Sequence, residues 1–287
     1  MGRPRPAGPR SWVRPPARAA RVSTSYAVRV RATSGVGAAA QAVVDIPLGH
    51  GQDPAVLLAR AGWRIERPLA ATRDGEAIVL EFAVRAASPC SPPQRLAGAE
   101  PVRLAGGATS AAARDPALAL APGEEPARRQ RVSAAALVVT DVPVGVADSA
   151  GRHGPGGRCV LATQYAGAAI RWEGSWGLPG GGIDDGEQPA QAARREAFEE
   201  TGQDVAVGAL AFVQSAHWVG RSPAGVAEDF HAVRLVFLGD CAAPRDVVVH
   251  DAGGTTSAAA WVPVAAAGEL AWAPGPREQL RALRVLP

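Results

Sequence analysis

The stretch from Gly180 to Gly202, GGGIDDGEQPAQAARREAFEETG, restricts the fold of this 287-residue chain more than any other. It opens on three glycines, which let backbone groups approach a ligand closely. Pro189 then starts a helix that runs to Thr201, and Gly202 closes it. On that helix Glu196, Glu199 and Glu200 stand at i, i+3 and i+4, so three carboxylates share one face within one turn. Each exposed like-charged pair there costs roughly 0.2–0.5 kcal/mol. Arg194 and Arg195 offset part of this, but hard oxygens clustered in this way suit Mg²⁺ or Mn²⁺. Mg²⁺ in turn suggests a phosphate substrate. The bland alternative is a solvated acidic helix face.

The rest of the chain supplies a core and little else of that specificity. Hydrophobic residues make up 47% of it, enough to exclude wholesale disorder. No apolar run is long enough for a membrane-spanning helix. The net charge of +3 is uneven: residues 1–25 hold six arginines and no acid, and the remaining 24 basic residues face 27 acidic ones. A broad basic surface for nucleic acid is therefore not expected. All basic residues are arginine, and asparagine is absent too, a pattern we read as the coding bias of a high-GC bacterial genome. Three cysteines, Cys90, Cys159 and Cys241, form no CxxC pair. Reduced thiols in a cytoplasmic protein are expected, rather than a zinc site or disulfides. The Arg- and Pro-rich residues 1–24 read as a disordered tail, or as the product of a start codon placed too early.

Patterning divides the remainder of the chain. Residues 25–87 read as a small α+β unit. Its strands lie over Tyr26–Val30, Gln41–Ile46, Trp63–Ala71 and Glu76–Arg85; a helix begins at Asp53-Pro54, and Asp74-Gly75 marks a hairpin. Residues 88–130 are rich in Pro, Ala and Gly, hold no aromatic residue, and read as a linker. Residues 131–287 read as a second domain. Its strands lie over Val132–Thr140, Arg158–Tyr165, Val205–Trp218, Phe230–Leu238 and Ala258–Val262, with a closing helix over Pro276–Leu286. A linker without anchors is not expected to transmit tight packing, so residues 128–287 are expected to fold alone.

The glycine-rich segment resembles the Nudix box, GX5EX7REUXEEXGU. Gly181, Glu187, Arg195, Glu196, Glu199, Glu200 and Gly202 fill all seven fixed positions. The two aliphatic positions depart from the pattern, as Ala197 and Gln203. The resemblance extends over residues 131–287, including Trp176-Gly177-Leu178-Pro179 before the box. It implies an α/β fold, a Nudix α/β/α sandwich with a mixed sheet. The implied activity is metal-dependent hydrolysis of a nucleoside diphosphate linked to another moiety X, by in-line water attack at phosphorus. By position, Glu196, Glu199 and Glu200 would bind Mg²⁺ or Mn²⁺, with the Gly180 carbonyl as a further ligand. Arg195 would orient Glu196, and Glu187 would support the site from the loop. The alternative is a non-catalytic Nudix-fold sensor of a nucleotide ligand, although such proteins commonly lose box glutamates.

Outside the box the signals are weaker. Glu228 is the candidate for an extra metal ligand or base, on a loop with Asp229 before the strand at Phe230. His217 and His231 read as partly buried strand residues. Trp172 and Trp176 flank the box entrance. The expected partner is a small nucleotide-type diphosphate, with no membrane and no broad nucleic-acid surface, and a homodimer stays open.

Overall fold

The computed structural model describes residues 27–35, 37–88, 93–100, 112–167, 172–222, 225–250 and 254–287. The expected tail, Tyr26 and Cys90 lie outside them.

The first half builds a five-stranded sheet. On β1 (Ala27–Ser34) Val28, Val30 and Ala32 are buried, while Arg29 and Arg31 on the other face pair with Asp45 of β2 (Gln41–Pro47). Asp53 caps α1 (Pro54–Arg60), its Oδ1 accepting the Ala55 and Val56 N–H groups at 2.7 and 3.1 Å. β3 (Trp63–Asp74) and β4 (Ala77–Ala86) form the hairpin marked by Asp74-Gly75, with Gly75 at φ +58°. The sheet order is β3-β4-β1-β2-β5, where β5 (Leu96–Ala97) edges β2.

The second half builds a mixed sheet of order β13-β8-β7-β12-β11-β6. Its strands are β6 (Ala113–Arg114), β7 (Ala127–Val142), β8 (Gly157–Tyr165), β11 (Ala206–Arg221), β12 (Ala227–Asp240) and β13 (Thr256–Pro263). Two short strands sit off this path: β9 (Trp176–Gly177) on β8 and β10 (Gly180–Gly182) on β7. β7 and β12 run parallel, while β11 and β12 form an antiparallel pair.

Side-chain alternation gives this sheet two faces. Ala136 and Val138 of β7 share a core with Ala197 of α2 (Pro189–Thr201), and Val132 and Ala134 share one with its Ala192 and Ala193. Leu137 and Val236, on the opposite face, pack with Leu280 of α3 (Pro274–Ala282). The expected α/β/α sandwich is present, with one helix layer on each side. No helix among the described residues is long and apolar enough to cross a membrane.

Three expectations are corrected. The region read as a featureless linker contributes β5 and β6, which edge one sheet each, and its Glu124 pairs with Arg221 of β11 at 2.8 Å. The two halves are tightly packed. Val30, Ile46, Leu57 and Leu80 of the first half share one buried cluster with Val132, Ile183, Leu210, Val233 and Leu235 of the second. The apolar face of the small sheet has too few partners of its own, so it covers the part of the large sheet that α2 leaves open. Finally, Glu228 and Asp229 lie within β12 and not on a preceding loop, because pairing with Gly220 and Val219 carries the strand back to Ala227.

Candidate active site

Gly180 and Gly181 are required by contact. β10 pairs with β7 through Gly180 opposite Ala135, Gly181 opposite Ala134 and Gly182 opposite Ser133. A Cβ on Gly180 would lie 2.5 Å from the Ala135 Cβ, and one on Gly181 would lie 2.5 Å from Glu196 Oε1. Only a bare backbone fits between β7 and the carboxylates of α2. The helix is capped at both ends: Gln191 Oε1 accepts the Gln188 N–H at 3.0 Å, and Gly202 closes it at φ +70°.

Arg195 is the hub. Its Nε and Nη2 donate to the two oxygens of Glu187 at 2.8 and 2.9 Å, a bidentate fork. Nη1 donates to Glu196 Oε1 at 2.7 Å and to Glu199 Oε2 at 3.2 Å, and Nη2 also donates to the Gly182 carbonyl at 2.9 Å. Asp184 Oδ2 stands 3.4 Å from Nε. Burial works against the charge of this guanidinium, but the hydrogen bonds it donates to Glu187 and the charge of the nearby Glu196 overcome that and raise its pKa above the ordinary value. Glu187 Oε2 also accepts the Asp184 N–H at 2.9 Å, which fixes the loop ahead of the helix.

Glu200 faces the other way along the helix. Its Oε2 accepts the Gly180 N–H at 2.8 Å, and its Oε1 accepts the hydroxyl of Thr256 on β13. Beside it the Tyr165 phenol is pushed up to about 12, first by burial and then by the charge of Glu200, so it remains protonated. Glu196 and Glu200 are buried at 4% and 3%, whereas a quarter of the Glu199 side chain is exposed.

The donor set fits a hard divalent cation. Four carboxylates, Asp184, Glu187, Glu196 and Glu199, gather around one guanidinium, and Glu200 stands one helical turn on from Glu196, leaving an excess of negative charge on oxygen ligands. Among the described residues these carboxylates do not bring three ligand atoms within 4.8 Å of one another. The group that does is His50, His217 and Asp229.

The structure therefore brings Gly180, Glu187, Arg195, Glu196, Glu199 and Glu200 together and leaves Glu228 apart. Glu228 pairs with Arg129 at 2.9 Å. It lies six residues before Arg234, the β12 position aligned with Ser133 and hence with Gly182. At the strand rise this is on the order of 20 Å along β12. His217 and His231 lie on strands, with His231 fully buried. Trp172 is 43% exposed, whereas Trp176 packs against the α3 side of the core.

Sequence reasoning missed Thr256, Tyr165 and the contact of Arg73 with this loop. The Arg73 Nε and Nη2 donate to the carbonyls of Glu187 and Asp184 at 3.2 and 3.3 Å, and its N–H donates to Gln188 Oε1 at 2.8 Å. No signal in the sequence marks these partners, which lie 35 to 115 residues away. The polar residue at an aliphatic box position is also explained. Gln203 is fully buried: its Nε2 donates to the Thr201 and Arg245 carbonyls, and its Oε1 accepts the Arg245 N–H at 3.1 Å. It pins residues 245–246 beside the end of α2 in place of an apolar contact.

Residues 143–283 match the NUDIX domain model. An RNA pyrophosphohydrolase of Bartonella quintana (strain Toulouse) is 55% identical over 40 residues, which are 14% of this chain and 23% of that protein. The RNA pyrophosphohydrolase of Brucella ovis (strain ATCC 25840 / 63/290 / NCTC 10512) is 70% identical over 27 residues, 9% of this chain and 15% of that one. The chain thus spans less than a quarter of the length of these curated relatives. Among solved structures, the Nudix hydrolase RenU of M. smegmatis is 22% identical, with 54% of this chain and 84% of that chain covered and a TM-score of 0.38. A C. elegans Ap4A hydrolase in a binary complex is 18% identical, covering 54% and 95%, with a TM-score of 0.36. The domain match encloses the whole glycine-rich segment and its acidic helix, so residues 143–283 of this chain carry a NUDIX domain.

Proposed function

We propose that this chain is a Mg²⁺- or Mn²⁺-dependent hydrolase of the diphosphate bond in a nucleoside diphosphate linked to another moiety. The observation that carries this reading is the arrangement around Arg195: one guanidinium holds Glu187, Glu196 and Glu199 on the face that also presents Glu200. Glu196, Glu199 and Glu200, with the Gly180 carbonyl, would hold the cation. When bound, such a cation neutralises phosphate oxygens and acidifies water. Arg195 holds Glu196 and Glu199 in one orientation, so their charge is positioned before substrate arrives. One of these carboxylates accepts the proton of the attacking water. Glu199, partly exposed, is the one that solvent reaches. Glu187 acts through Arg195 and the Asp184 N–H as a positioning residue. Residues 131–287 form the catalytic unit in this reading, and residues 25–87 an accessory unit that braces it.

The substrate test is a panel of nucleotide and nucleotide-sugar diphosphates, dinucleoside polyphosphates and RNA bearing a 5′-triphosphate. RNA is included because the curated relatives are RNA pyrophosphohydrolases. Each is scored for released phosphate or pyrophosphate with Mg²⁺ and with EDTA. Turnover of at least one member that vanishes in EDTA and returns with Mg²⁺ is expected. Undiminished turnover in chelator contradicts the mechanism. The absence of turnover across the panel, with tight binding of one member, favours a sensor.

A further inference from the structure

A second cluster of potential ligands lies where the two halves meet, away from the acidic helix. His50 sits in the turn between β2 and α1, His217 on β11 and Asp229 on β12. The Nε2 atoms of both histidines approach the same oxygen, Asp229 Oδ1, at 2.9 and 2.5 Å. One ligand atom from each residue falls within 4.8 Å of the other two. We propose that His50, His217 and Asp229 form a transition-metal site, selective for Zn²⁺ over Mg²⁺, that clamps the N-terminal unit onto the catalytic sheet.

Two neutral imidazoles and one carboxylate are borderline ligands, which favour Zn²⁺ and disfavour the hard Mg²⁺ expected at the acidic helix. Ligand bonds of about 2.0–2.1 Å in a tetrahedron place ligand atoms roughly 3.3 Å apart. The three atoms need only small rotamer adjustments to reach that spacing. A half-buried site with three protein ligands leaves the fourth position to water, and the side chains are 11–22% exposed.

The local backbone is shaped for this approach. Gly51, at φ +72°, lies so close to His217 that a Cβ would stand 2.6 Å from its Nδ1. A side chain there would collide with the His217 ring. The surrounding charges permit a cation. His231, whose ring centroid is 5.7 Å from that of His50, bonds Ser215 and Gln130 at 2.9 Å each. Arg128 approaches Asp229, with Nε 4.0 Å from Oδ2, and its side chain is 80% exposed. A His–Asp–His hydrogen-bond network is the metal-free form of the same arrangement.

The test uses the full chain and is independent of any hydrolase activity. Protein stripped with chelator is titrated with Zn²⁺ in a large excess of Mg²⁺, with stoichiometry read by calorimetry and the ligand field read from the visible spectrum after Co²⁺ replacement. One Zn²⁺ per chain is expected, together with a tetrahedral Co²⁺ spectrum. A rise in Tm of about 5 °C is expected at a hundredfold excess over Kd. His50→Gln and Asp229→Asn, two variants of near-native volume, are each expected to lose the site, whereas Glu199→Gln keeps it. The proposal is overturned if no saturable Zn²⁺ binding survives Mg²⁺. It is equally overturned if binding persists in both His50→Gln and Asp229→Asn, or disappears only in Glu199→Gln.

Discussion

Arg195 is the residue on which the site's geometry depends most. Its side chain is only 14% exposed and it divides five donors among Glu187, Glu196, Glu199 and the Gly182 carbonyl. A lysine is a point charge on a flexible stem and cannot span Glu187 bidentately while reaching Glu196. Arg195→Lys is expected to lower stability by about 2–4 kcal/mol, since buried carboxylates lose their partner. It should also lower kcat by on the order of 100-fold, because Glu196 and Glu199 lose their fixed orientation. Thermal melts and steady-state kinetics on the same preparation check both; unchanged kcat would remove Arg195 from the mechanism. At this scale the sequence was legible where function sits in a short window. Glycines, a proline, three glutamates and an arginine within 23 residues define their own geometry, because a helix places i, i+3 and i+4 together regardless of context. Gln203 was not legible. Its partners Arg245 and Asp246 are 42 and 43 residues away, and a fully buried glutamine looks like a defect until they are found.

Among elements, the β3–β4 hairpin and α2 meet in a way that periodicity could not show. The hairpin was readable from Asp74-Gly75 and the alternation of Ile78, Leu80, Phe82 and Val84, all at most 3% exposed. Its target was not, since Arg73 contacts a loop more than 100 residues away. Arg73→Ala removes the hydrogen bonds to the Glu187 and Asp184 carbonyls but leaves the N–H bond to Gln188. We expect a loss of about 1 kcal/mol, the usual worth of such bonds. A several-fold fall in kcat should accompany it as the loop carrying Glu187 loosens, with the melting temperature and kcat measured together. A kcat equal to wild type would show that the hairpin is packing alone. The short edge strands β5 and β6 were missed because two-residue pairings carry no period. Alternation marks a strand only when one face is buried over several residues.

For the molecule as a whole, the core is shared. The expectation of independent halves treated 88–130 as a spacer, but composition says nothing about what two apolar sheet faces do when each lacks cover. Removing residues 1–127 would expose Val132, Ile183, Leu210, Val233, Leu235 and Phe237 at once. At roughly 1.5–3 kcal/mol for each such side chain, that is comparable with the whole margin of about 5–15 kcal/mol by which domains are stable. A fragment of residues 128–287 is therefore expected to aggregate or to lose fixed tertiary packing, as read by near-UV circular dichroism and gel filtration. A soluble, cooperative, active fragment would show that the N-terminal unit is dispensable.

The central claim is that the carboxylates of α2 serve a cation and not the fold. Glu199 tests it most directly, being the most exposed of the three and bonded to Arg195 through the longest of the contacts from Nη1. The measurement is the Mg²⁺-dependent kcat of Glu199→Gln beside its Tm, on the best substrate of the panel. Loss of two or more orders of magnitude in kcat is predicted, with Tm within a few degrees of wild type. A variant that retains wild-type kcat, or that loses activity only as its Tm collapses, would contradict the account.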